Sequence, residues 1–515
     1  MMRLPCFISH DLKRKSFYFY IFATNIFMEE EKVILVDEKD REIGLCPKME
    51  AHKKALLHRA FSVFIFNKKG ELLLQERAAE KYHSPKLWTN TVCSHQRKGE
   101  DNIQAGKRRL QEEMGMDAEL KEVFHFIYKA ELDQGLTEHE LDHVLIGFSD
   151  ELPKINPDEV MDYRWESLQN IEEDMRLNPH HYTEWFKIIF ANSLDKLQKE
   201  VDKVMLQNPI EFTPIYKEKP WGGNKLKNFL NKEIPSDKTG ESWEISTVPH
   251  NFSEVKSGYF KGRNLQELVD NYGEALVGKK VYQKFGKNFP LLIKFIDAAD
   301  DLSIQVHPDD KMAGKLHKSF GKNELWHIIQ ADPGSVLYIG FKENTQQKDY
   351  LKNLKEGSLE NLLNKIEVKP GDTFYIPAGT VHAIGKGVLL AEVQQTSDLT
   401  YRIYDWNRVG LDGKERELHT ELALKAIQFE AQPDKHNEKH IKTPYFQINR
   451  QQIDKEKIRD ISQIDSFMIL MNTGEGTFEI DDVNFEKGKV IFLPAHKKNY
   501  KIKPIKPGEY LEIYI

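Results

Sequence analysis

From Val33 onward, short apolar runs alternate with turn residues. Phe61 to Phe66 is apolar and aromatic, Asn67 to Gly70 carries the turn residues, and Leu72 to Gln75 resumes the apolar run, which is the pattern of a β-hairpin. Ile103 to Met114 has helical spacing, with Gly115 just past its end where a left-handed cap is needed. His143 to Phe148 reads as a further strand and Trp185 to Leu197 as a closing helix. Asp195 to Gln207 is polar and helical enough to serve as a linker, which places a domain boundary near Asn208.

Beyond that boundary the pattern changes to many short strands, including Leu291 to Ile296, Leu302 to Val306, Thr373 to Ile376 and Val388 to Val393. Such spacing predicts a barrel or sandwich. Helical insertions interrupt it near Leu265 to Phe285 and Tyr350 to Leu363. The segment Gly371 to Pro377 recurs as Gly488 to Pro494 with the same Gly-to-Pro spacing, so two related barrels are expected. His382 of the first copy aligns with Asn499 of the second, which is therefore expected to bind no metal.

At 515 residues the chain exceeds one ordinary core, and two or three domains are expected. A net charge of -7 offers no basic surface for nucleic acid. The three cysteines, Cys6, Cys46 and Cys93, are too few and scattered for a secreted disulfide framework, which fits a reducing cytoplasm. No apolar run reaches the roughly 20 residues that span a bilayer. Phe17 to Phe27 follows Lys13, Arg14 and Lys15 like a weak signal sequence, but it lacks a small-residue cleavage site before Glu29 to Glu31. Met28 is expected to be the working start, with residues 1–27 disordered or not made. Oligomeric state is not legible.

The stretch Ser94 to Met116 sets Glu100, Arg108, Glu112, Glu113 and Gly115 at the spacing of the Nudix box. Ser94 replaces the box glycine and Arg109 replaces a glutamate, which leaves the carboxylate set of a diphosphohydrolase incomplete. With TNTVCSH at 89–95 and TEHE at 137–140, the region from Val33 to about Leu197 resembles type I isopentenyl-diphosphate isomerase. The resemblance implies an α/β Nudix fold, a mixed sheet with flanking helices, over 28–197. It assigns His52, His58, His95, Glu138 and Glu140 as metal ligands, a nitrogen and oxygen set suited to Mg2+ or Mn2+, with Glu113 holding a second magnesium. His52 and His58 stand one residue closer together than in the bacterial form. The resemblance makes Cys93 and Glu140 the proton-transfer pair, with Cys93 as thiolate and Tyr128 assisting. Trp185 is placed against the cationic intermediate, and Lys48, Arg77 and Lys81 against the diphosphate.

After a linker at 198–208, the motifs KPWGG (219–223), ESWEIS (241–246), QVHPDD (305–310), KNELWHI (322–328) and PAGTVHAIG (377–385) follow, with Thr400 to Tyr404. Together they resemble type I mannose-6-phosphate isomerase, a mainly-β tandem cupin of two β-barrels or jelly rolls with helical insertions. The expected catalytic cupin spans 209–430 and the metal-free one 431–515. Gln305 and His307, two apart on a strand, share a side. With Glu324 and His382 they form four ligands suited to Zn2+. The resemblance makes Arg402, Lys322 and Glu392 catalytic and Lys294 and Ser303 substrate contacts, without dividing the acid and base roles. His317 and His327 match no ligand position and are expected to be surface or packing residues. The expected substrates are isopentenyl diphosphate and mannose 6-phosphate. The rival reading is a Nudix diphosphohydrolase fused to a cupin sugar-binding or regulatory module.

Overall fold

The computed structural model describes residues 31–515, and the expectations for residues 1–27 lie outside the described residues. Two compact units divide between Val201 and Asp202, inside the helix Glu184–Met205. That helix extends through most of the stretch expected to be a linker.

The first unit is built on a nine-stranded mixed sheet. Its central strand, His58–Phe66, is almost wholly buried, and it pairs in parallel with Thr137–Phe148 and antiparallel with Val92–Ser94. A continuous apolar run is what a strand covered on both faces requires. The expected hairpin forms, with Phe66 opposite Leu72. The Asn67 side chain accepts the backbone N–H of Lys69 at 2.9 Å and of Glu71 at 3.1 Å.

The expected helix is Asn102–Met114, capped reciprocally by Asp101 and Gln104. It ends at Gly115 with φ 62°, where an added Cβ would lie 2.5 Å from the Lys154 carbonyl oxygen. Leu110 and Met114 pack with Phe61, Val63 and Leu145. The strand read as His143 to Phe148 starts earlier, at Thr137. Its opening, Thr137 to Asp142, is mostly polar because Glu138, Glu140 and Asp142 face a site, and only Leu141 packs into an apolar cluster.

In the second unit a seven-stranded sheet and a five-stranded sheet enclose one core, in which Trp326, Ile328, Phe374 and Leu390 meet Leu337, Ile339 and Ile384. A second pair of sheets, of five and four strands, follows from His440. Its core joins Met468, Leu470 and Ile491 to Phe478, Tyr500 and Ile502. The helical insertion expected over 265–285 forms as two helices, Leu265–Val277 and Lys279–Phe285, separated by Gly278 at φ 95°. The second insertion begins slightly earlier than expected, as the helix Gln347–Glu356; Gly357 at φ 66° ends it, and the 3-10 turn Leu359–Leu362 carries helical structure to the expected end. The repeated segments both form strands, Thr373–Ile376 and Val490–Leu493. His382 is buried, whereas Asn499 is exposed at the start of a strand.

The second barrel encloses Glu512, fully buried, with Arg459 Nη2 at 2.9 Å and Tyr500 Oη donating at 2.6 Å. Removing one partner of a buried ion pair leaves an uncompensated charge and costs about 3 kcal/mol. Arg459→Ala is therefore expected to lower the stability of the second unit by about that amount, read as a fall in its urea midpoint.

Candidate functional sites

Alternation along Thr137–Phe148 sends Glu138, Glu140 and Asp142 to one side of the sheet. His58 opens the neighbouring parallel strand directly opposite Glu140. His52 comes from the helix Lys48–Lys54, and His95 follows the strand Val92–Ser94. The ligand atoms of all five expected residues lie within 4.8 Å of one another. His52 Nε2 is 3.0 Å from Glu138 Oε2, and His95 Nε2 is 2.9 Å from Glu140 Oε1. The Nδ1 atoms of His52 and His58 are 2.6 and 2.8 Å from the carbonyl oxygens of Lys48 and Leu56. That contact makes Nδ1 the donor and turns the Nε2 lone pair inward.

Beside this cluster is a cavity of about 250 Å³ lined by Cys93, Tyr128, Trp185, Lys48, Arg77 and Lys81, together with His95, Glu113, Glu138 and Glu140. Tyr128 Oη donates to Glu140 Oε2 at 2.6 Å. Trp185 Nε1 donates to Cys93 Sγ at 3.0 Å, and Cys93 donates to Asn90 Oδ1 at 3.1 Å. Burial pushes the Cys93 thiol up to about 12, which favours the protonated thiol over the thiolate expected from sequence. Glu140 is also buried, but His58 and His95 overcome that effect and hold it well below the usual carboxylate range.

Glu113 is kept apart from the five-residue cluster. Arg109 Nη2 lies 2.6 Å from its carboxylate, and Gln75 Nε2 donates to it at 3.0 Å. Arg109 also pairs with Glu112 at 3.1 Å, so the Nudix-box carboxylates are neutralised by a side chain. Arg77 ends the strand Glu71–Arg77 and Lys81 lies in the following turn, so the two share no helix face. Arg77 stacks 5.1 Å over Trp185, Lys81 pairs with Glu159, and Lys48 with Glu31 at 3.1 Å.

In the second unit, Gln305 lies directly opposite His382 on one neighbouring strand and opposite Arg402 on the other. Glu324 comes from the facing sheet. His307 Nε2 is 3.2 Å and His382 Nε2 3.7 Å from the Glu324 carboxylate. Gln305 Nε2 is 3.3 Å from His382 Nε2. As in the first unit, both Nδ1 atoms face carbonyl oxygens, those of Leu399 and Thr380, at 2.8 and 2.9 Å. Burial holds His307 down to about 3 and lowers His382, so both are neutral imidazoles.

Lys322 Nζ is 2.7 Å from Glu324, and Lys294 Nζ is 3.1 Å from Glu392. Trp326 Nε1 donates to Glu392 at 2.9 Å. Burial, reinforced by Glu324, raises Glu392. Ser303 Oγ reaches Gln305 at 3.4 Å. Arg402 Nη1 donates to the Glu417 carbonyl at 2.8 Å, while its Nε is buried without a partner. His317 is exposed, 2.8 Å from the Tyr401 hydroxyl, and His327 packs in the sheet 2.9 Å from the Thr373 hydroxyl.

Residues 56–186 match the NUDIX domain family, and residues 210–325 match the phosphomannose isomerase type I catalytic domain. The isopentenyl-diphosphate Delta-isomerase of Pectobacterium atrosepticum is 50% identical over 167 residues, which cover 32% of this chain and 93% of that protein. The mannose-6-phosphate isomerase ManA of Bacillus subtilis (strain 168) is 35% identical over 315 residues, 58% of this chain and 97% of that protein. The chain belongs to both isomerase families. A crystal structure of the mannose 6-phosphate isomerase from Bacillus subtilis matches with 34% identity and a TM-score of 0.54, over 60% of this chain and all of that one.

Both isomerase families are metal-dependent, and the donor sets fit a divalent cation. In the isopentenyl-diphosphate isomerase unit, burial and the adjacent Glu140 push Glu138 up to about 7, and His58 Nε2 is buried with no hydrogen-bond partner. In the mannose-6-phosphate isomerase unit both Glu324 oxygens are buried without a well-directed hydrogen bond, although Lys322, His307 and His382 all face them. A cation between the donors relieves each of these costs.

Several contacts escaped the sequence reading. Asp142 continues the alternation of Glu138 and Glu140 and accepts from Ser62 Oγ at 2.8 Å. Thr89 and Asn90, inside the quoted TNTVCSH, hold Trp185 and Cys93. His83, buried 3.8 Å from Glu138, carries no spacing signal at all.

Proposed function

We propose that the first unit converts isopentenyl diphosphate to dimethylallyl diphosphate and that the second interconverts mannose 6-phosphate and fructose 6-phosphate. The observation that carries the first assignment is a thiol and a tyrosine-bridged carboxylate lining one cavity beside a three-histidine, two-glutamate cluster. Shifting a double bond needs a proton added at one carbon and another removed nearby. Cys93, kept protonated by burial, gives; Glu140, kept ionised by its histidines, takes, with Tyr128 shuttling at its edge. The Trp185 face and apolar edge shield the cation between these steps. Lys48, Arg77 and Lys81 bring positive charge to the diphosphate.

In the second unit an aldose-to-ketose conversion needs one proton moved between adjacent carbons. Glu392, with its proton affinity raised by burial and its position fixed by Lys294 and Trp326, carries that proton. Arg402 and Lys322 face the negative charge that develops on the sugar oxygens. Lys294 and Ser303 bind the substrate.

His52, His58, His95, Glu138 and Glu140 would hold Mg2+ or Mn2+, and Gln305, His307, Glu324 and His382 would hold Zn2+. When bound, each ion supplies fixed positive charge to an electron-rich substrate or carboxylate. Dialysis against a chelator is expected to abolish both activities. Magnesium or manganese alone should restore the first and zinc the second, in a paired assay of both reactions on one preparation. Retention of full activity after chelation would remove the metal assignments. Absence of both activities in metal-replete buffer would remove the functional reading. Cys93, which forms no disulfide, suits a cytoplasmic setting.

A further inference from the structure

We propose a separate binding site for a first-row divalent cation of the zinc type on the face of the first unit's sheet opposite the five-residue cluster, formed by His125, His143 and Glu122. It does not depend on the functions proposed above. His125 and His143 stand directly opposite each other on the strands Leu120–Glu131 and Thr137–Phe148, with ring centroids 5.3 Å apart. Position 143 is out of phase with Glu138, Glu140 and Asp142, so this pair lies on the face opposite the isomerase cluster.

In a regular strand Glu122 and His125, three apart, would point to opposite faces. The pairing register shifts between Glu122 and Phe124, and this bulge turns Glu122 to the side of the histidines. The three ligand atoms then lie within 4.8 Å of one another, where roughly 3.3 Å separates the donors of a tetrahedral ion.

The surroundings complete the arrangement found around bound metals. Glu122 Oε1 is 2.7 Å from His143 Nδ1 and 4.0 Å from His125 Nδ1. The other Glu122 oxygen accepts from Asn102 Nδ2 at 2.9 Å. His143 is buried, and its remaining nitrogen, Nε2, is without a hydrogen bond but lies 3.3 Å from Asp40. Asp40 is itself anchored by Arg59 at 2.7 Å. A carboxylate behind one ring nitrogen fixes the tautomer and leaves the other nitrogen free to ligate. His125 is more than half exposed, which opens the site to ions and leaves room for water ligands.

The test is zinc content of the full chain after equilibration in buffered, low-micromolar free Zn(II). His125→Ala and Glu122→Gln, both at exposed positions, serve as comparisons. The wild type is expected to hold one equivalent more zinc per chain than either variant, while both isomerase activities stay unchanged. Equal zinc content in the wild type and both variants would overturn the site. So would loss of isomerase activity in parallel with the zinc, because the lost ion would then belong to the active-site cluster.

Discussion

Cys93→Ala lowers isopentenyl diphosphate isomerisation by about 10³-fold, mostly in kcat, and leaves mannose 6-phosphate isomerisation in the same preparation untouched. The side chain is the neutral proton donor of the cavity, and alanine has nothing to give. Cys93→Ser separates chemistry from geometry. A serine hydroxyl can still accept from Trp185 Nε1 and donate to Asn90, the two contacts that seat the thiol. It is expected to fold and bind as the wild type does and yet to remain slow, because a hydroxyl is a far weaker acid than a thiol. Near-wild-type turnover in Cys93→Ala would sink the assignment and return Tyr128 and Glu140 as a self-sufficient pair.

Much of this site was legible because its chemistry is packed into short motifs. Three of the five ligands, with Cys93, fall inside two stretches of seven and four residues. The charge states were not legible. The resemblance implies a thiolate, whereas the depth of Cys93 favours the protonated thiol. Glu113 shows the same gap: the resemblance implies that it holds a second magnesium, and its pairing with Arg109, four residues earlier on one helix face, is not part of that expectation.

In the fold, strands with a clear apolar run were placed well. The strand from Thr137 was cut short because its first half is polar and buried. Residues that face a site break the periodicity that marks the element carrying them. His83 and the bulge before Phe124 depend on tertiary approach and on register, neither of which leaves a local pattern. The cupin ligands were legible for the opposite reason. Gln305 and His307 keep the strand period, and Glu324 and His382 begin strands of their own.

Glu324→Gln is expected to lower mannose 6-phosphate isomerisation by about 10³-fold and to remove one equivalent of tightly held zinc, with isopentenyl diphosphate isomerisation unchanged. The substitution keeps shape and volume, so the barrel has no cavity to collapse. What it removes is the charge facing both histidines and Lys322, all of them buried. The Lys322 ammonium then stays in the interior with no carboxylate, a penalty of about 3 kcal/mol, so a lower unfolding temperature should accompany the loss. Adding Lys322→Met separates the two effects. If the stability cost comes from the stranded ammonium, the double variant regains it, since an apolar side chain of similar length needs no partner. Zinc should stay lost because the ligand is still missing, and activity with it because Lys322 is gone as well. Recovery of zinc along with stability would show that Glu324 only balances Lys322 and that the metal is held elsewhere.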